Sequence, residues 1–86
     1  MITRKITYSG RLDAAAAEMV FDIARRIEIT GEIKFTTNKL ELDLEGDPSM
    51  IKLVQHQVER KLKALVENKE VVSMPMKNYR GLDFLR

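Results

Sequence analysis

The residues able to do chemistry are few and mostly isolated. Arg11 and Asp13 flank Leu12 directly before a run of four alanines, Ala14 to Ala17. A helix start is a ready anion site, because its first amides have no intrahelical partner and point outward. Asp13 stands at the capping position, where its own carboxylate accepts from those amides. It fills the site with negative charge and opposes a second anion. Arg11 is the nearby cation, and its plainer role is a surface residue at a strand end. His56 is the single histidine. It falls opposite the apolar stripe of its helix, so an exposed position is expected and neither catalysis nor metal binding. Glu41, Asp43 and Glu45 alternate along one stretch and read as a solvent-facing complement to the Lys5 side of the first strand. Cysteine is absent, which removes thiol nucleophiles, disulfides and cysteine-ligated metals. No cofactor and no metal are expected.

The elements that must position these residues follow from periodicity. Ile2 to Ser9 alternates, with Ile2, Ile6 and Tyr8 on one side and Thr3, Lys5 and Thr7 on the other, which predicts a half-buried strand ending at Gly10. The alanine run favours helix. At about 100° per residue, Ala16, Met19, Val20, Ile23 and Ile27 share one stripe. Phe21 lies outside it and is expected to be covered by the C-terminal tail. Ile29-Thr30-Gly31 is expected to close the helix with a left-handed glycine.

Ile33 and Phe35 then share one face of a strand, and Leu40, Leu42 and Leu44 one face of the next. Thr37-Asn38-Lys39 is short enough for a hairpin turn, with Asn38 at positive φ. Asp47 caps a second helix with Pro48 at its first position. Its stripe is Ile51, Val54, Val58, Leu62 and Leu65. Glu70 to Met76 reads as a strand that Pro75 confines to an edge. Gly81 to Leu85 can add a short final strand.

Eighty-six residues suit one domain, 1–86, without repeats or linkers. The formal charge of +2 is near balance and gives little reason to expect a polyanionic partner. The apolar runs fall far short of the roughly 20 residues that span a bilayer. The opening MITRKITYS lacks the apolar core of a signal peptide. A cytoplasmic domain without membrane contact is expected.

The order strand, helix, strand, strand, helix, strand defines an α+β class: a ferredoxin-like βαββαβ sandwich, an antiparallel sheet with both helices on one face and a short C-terminal extra strand. Residue by residue, the chain resembles the acylphosphatase family, whose members read S-G-x-V-Q-G-V-G-F-R, a helix, T-G-W-V-x-N, an acidic strand ending in E-G, and a second helix. The matching residues are Ser9-Gly10-Arg11-Leu12, the stripe Met19, Val20, Ile23 and Ile27, Thr30-Gly31, and Leu42-Asp43-Leu44-Glu45-Gly46. The closing Leu82-Asp83-Phe84-Leu85-Arg86 is similar to the family's final F-x-I-R-Y strand.

The resemblance implies a phosphate held by a glycine-rich turn and one arginine, with an asparagine orienting water. Counting places that arginine on Ala17 or Glu18 and that asparagine on Phe35, so neither group is retained, and alanines replace the cradle glycines. The expectation is an acylphosphatase-like binding or interaction module without catalysis and with no catalytic residues. The alternative is an acylphosphatase hydrolysing carboxyl-phosphate bonds through a rearranged site, with Arg11, Lys34 and Asn38 as anion-binding candidates. RNA-recognition domains share the element order but carry stacking aromatics on the open sheet face. Here that face offers the acidic row, so nucleic acid is disfavoured as a partner. The partner is unknown, and self-association through a sheet edge is the remaining expectation.

Overall fold

Seven elements follow one another: β1 (Ile2–Gly10), α1 (Ala14–Arg25), β2 (Thr30–Thr36), β3 (Lys39–Gly46), α2 (Pro48–Lys61), β4 (Val66–Met74) and β5 (Leu82–Leu85). The computed structural model describes residues 1–85; Arg86, the end of the closing motif, lies outside them. The strands lie side by side as β4-β1-β3-β2-β5. The first four pair antiparallel, and the added β5 runs parallel to β2, which makes the sheet mixed.

Register places the core. Ile6 faces Leu42 and Tyr8 faces Leu40 across β1 and β3, while Ile33 faces Leu42 across β2 and β3. All five side chains are fully buried, together with Ala17 and Val20 of α1 and Ile51, Val54 and Val58 of α2. Both helices therefore cover one sheet face. Burying a branched apolar side chain contributes about 1.5–3 kcal/mol, so this row dominates stability.

The local signals act as their chemistry dictates. The Asp13 carboxylate accepts from the Ala16 amide at 2.9 Å, and Asp47 accepts from Ser49 with Pro48 next in line. Asn38 sits at φ 60° in the hairpin turn. Phe21 stacks on Phe84 of the tail, ring centroids 5.4 Å apart.

Four details depart from the sequence reading. The buried stripe of α1 is Ala16, Ala17, Val20 and Ala24, and Met19 is 41 % exposed. Small alanines let the helix sit close to the sheet, which turns the longer Met19 outward. Gly31 does not cap α1, which ends at Arg25 with Arg26 right-handed. It lies inside β2 at φ 143°, where a Cβ would strike the Asp43 carbonyl oxygen; the glycine serves close strand approach. β4 begins at Val66 rather than Glu70. As an outer strand exposed along nearly its whole length, it has no buried row for alternation to reveal. Glu45, expected in solvent, is 2 % exposed.

Candidate functional site

The turn after β1 is where the resemblance would seat a phosphate. Its backbone is already engaged. The Gly10 amide donates to the Asn38 carbonyl at 3.1 Å, and the Arg11 amide donates to the Leu65 carbonyl at 2.9 Å. The Asp13 side chain takes the Ala16 amide, and its carbonyl takes Ala17 at 3.2 Å. Arg11 is exposed beside this knot, and Leu12 is buried beneath it.

Of the three anion-binding candidates, Arg11 and Asn38 are brought together, since the hairpin tip hydrogen-bonds to the end of β1. Lys34 is not. It lies exposed on β2, opposite Glu41 on one side and Leu85 on the other, in the row facing away from the helices. Ala17 is fully buried in α1, and Glu18 is exposed. Phe35 stays in phase with Ile33 and packs on the core, but it is half-buried rather than buried. It lies one residue from the hairpin turn, opposite the fully buried Leu40. His56 is exposed on α2.

Two polar centres were not visible in the sequence. On the helix-free face, residues 75–81 cross the sheet as a strap. The amides of Lys77, Asn78 and Tyr79 donate to the Glu45 carboxylate at 2.8, 3.1 and 2.8 Å, and the Thr3 hydroxyl donates to it from β1. Asn78 at φ 56° turns the three amides inward. The Thr3 hydrogen bond, with those amides, holds the Glu45 carboxyl below its usual range against the opposing effect of burial. Tyr79 donates to Asp43 at 3.3 Å, and burial with the charges of Asp43 and Glu32 pushes its phenol up to about 12.

On the helix side, Tyr8 is fully buried and its hydroxyl donates to Glu59 of α2 at 3.0 Å. Burial first, then the hydrogen bond to Glu59 and its charge, raise the Tyr8 phenol far above its ordinary value. Glu59 also accepts from Gln55 at 3.0 Å and from Lys69 of β4 at 3.2 Å. Burial works to raise its pKa, but the bonds from Gln55, Tyr8 and Lys69 outweigh it and leave the carboxyl lowered. One signal was available: Arg4 shares the inward phase of Ile2, Ile6 and Tyr8.

No protein-family model matches the chain, and no curated protein matches it in sequence. Solved structures do match in fold. The acylphosphatase of Bacillus subtilis superposes with a TM-score of 0.87 at 15 % identity, covering all of both chains. The acylphosphatase of Coxiella burnetii gives 0.84 at 20 % identity, covering 96 % of this chain and 90 % of the other. HypF from T. kodakarensis gives 0.83 at 20 % identity, covering all of this chain and 12 % of that one. The chain therefore has the acylphosphatase-like fold, of the ferredoxin-like βαββαβ type. No helix among the described residues is long and apolar enough to cross a membrane.

Proposed function

We propose that the protein is a binding module on an acylphosphatase-like fold and does not hydrolyse acyl phosphates. The observation that carries this reading is the state of the turn after β1. A phosphate cradle needs amides aimed at the ligand and positive charge beside them. In this turn the Gly10 and Arg11 amides serve backbone carbonyls, and an aspartate carboxylate occupies the helix entry. Ala17, Glu18 and Phe35 at the counted positions add no cation and no group able to hold water. Removing one preorganised donor commonly costs about 10²–10³ in rate, and here two are replaced as well as the cradle. Self-association belongs to the same reading, and the outer edge of β4 is its natural surface, with Val71 and Val72 each more than two-fifths exposed.

The test is hydrolysis of a synthetic acyl phosphate by the purified chain, beside an active acylphosphatase. Rates at the enzyme-free blank are expected. Turnover well above the blank that disappears in Arg11→Ala would overturn the reading and make Arg11 a relocated phosphate ligand.

A further inference from the structure

The groove that α2 forms with β1 and β4 gathers positive charge beyond the one lysine, Lys69, that pairs with Glu59. Two adjoining depressions of about 200 and 210 Å³ meet at Glu59. The first is lined by Arg4, Lys52, Gln55 and His56, and the second by Tyr8, Lys63, Val66 and Lys69. Four basic side chains, from β1, α2, the α2–β4 connection and β4, thus surround one carboxylate, in a chain whose overall charge is only +2.

Arg4 is the informative member. It sits on β1 in the row of Ile6 and Tyr8, opposite Leu44 and Ser73, so it rises from the helix-covered face and is half-buried. Among the described residues its side chain makes no ion pair and no hydrogen bond, and the same holds for the side chains of Lys52, His56 and Lys63. A surface lysine without a partner is ordinary. An arginine half-buried at a core-phase position is not, because drawing its charge toward the covered face is costly unless something pairs with it. The guanidinium fork matches an oxyanion bidentately.

Glu59 limits what can sit beside it. An anion centred on that carboxylate is repelled, so the negative group must lie at the Arg4 end. The part of the ligand over Glu59 must donate hydrogen bonds to it. We infer that this groove binds a phosphate ester carrying hydroxyl groups, with the phosphate on Arg4, Lys52 and His56 and a hydroxyl on Glu59. A free sugar phosphate and the backbone of a single RNA strand both present that chemistry. The acidic row that disfavours nucleic acid lies on the opposite face of the sheet and does not bear on this groove. The inference goes beyond the non-hydrolytic reading and stands or falls separately from it, because it is read by binding and not by turnover.

The experiment is a heteronuclear NMR titration of the full chain with ribose 5-phosphate and, separately, with a short single-stranded RNA. Saturable shifts are expected at residues 4, 52, 56 and 59 and not at residues 10–15. Arg4→Gln is expected to weaken binding roughly tenfold, the scale of one charge-assisted pair. Lys52→Gln, on the exposed face of α2, repeats the test without touching the sheet. Tighter binding of the RNA, falling steeply with salt, identifies a strand as the source; equal or weaker binding identifies the free ester. No saturable shift with either probe, shifts confined to residues 10–15, or unchanged affinity in both variants would overturn the inference.

Discussion

Glu45 and Glu59 lie on opposite faces of one sheet, and each collects hydrogen bonds from distant parts of the chain. They differ in who supplies the bonds. Glu45 is held by three consecutive backbone amides and a buried hydroxyl. Glu59 is held only by side chains, one of them a partly exposed lysine. Backbone donors are fixed by the path of the chain and have no other partner once roofed over. Side-chain donors can turn to another acceptor or to water. The first arrangement fastens a segment, and the second leaves a charged groove that can exchange partners.

Breaking Glu45 is the strongest test of that contrast. Glu45→Ala leaves three amides and the Thr3 hydroxyl without an acceptor beneath the strap. The largest fall in melting temperature of the substitutions considered is expected, with fast hydrogen exchange at Lys77, Asn78 and Tyr79. Protection that survives at those amides would show that β5 pairing and the Phe21–Phe84 stack hold the strap unaided.

The same carboxylate sets an acid limit. Its folded pKa lies below the ordinary value of 4.5, so its stabilisation is complete above that value and is lost as pH falls through the lower folded one. Glu45→Gln is therefore expected to flatten the acid side of the stability–pH curve.

The same contrast explains what the sequence could disclose. Alternation in Ile6-Tyr8 and in Leu40, Leu42 and Leu44 announces strands with one buried side, and Asp13, Asp47 and Asn38 mark caps and a turn through local chemistry. The roof over Glu45 comes from residues more than thirty positions away, through amides that every residue possesses. No residue type advertises it, so an acidic row reads as solvent-facing. The Tyr8–Glu59 bond spans 51 positions and is equally silent. Arg4 was legible, since its parity matches Ile6 and Tyr8, but the use of that parity depends on where α2 ends its cover. Met19 and Ala24 exchange roles for a similar reason: the depth of a helix on its sheet is a property of packing that an apolar stripe does not encode.

On the helix side the effects are smaller. Tyr8→Phe keeps the buried ring and deletes its hydroxyl, so the loss is one hydrogen bond to a charged acceptor, about 1.5 kcal/mol. Glu59 retains Gln55 and Lys69, which limits the damage. Chemical denaturation of the variant checks this. A loss below about 0.5 kcal/mol would mean that water replaces the phenol freely, and the floor of the groove would then be wetter than its burial implies.

The smallest effect is expected at Lys69, and it sharpens the comparison most. Its ion pair with Glu59 is 3.2 Å long, with side chains 41 % and 35 % exposed. Pairs this accessible gain little, because water and salt screen the attraction and two long side chains lose freedom to make it. Lys69→Gln should therefore change stability by no more than about 0.5 kcal/mol, and raising the salt concentration should shrink the difference further. Glu59 would still accept from Tyr8 and Gln55, so its position should hold. A cost above about 1.5 kcal/mol that persists in high salt would place Lys69 among rigid supports. Glu59 would then be a fastening like Glu45, and the groove would lose the freedom to exchange partners that separates the two faces.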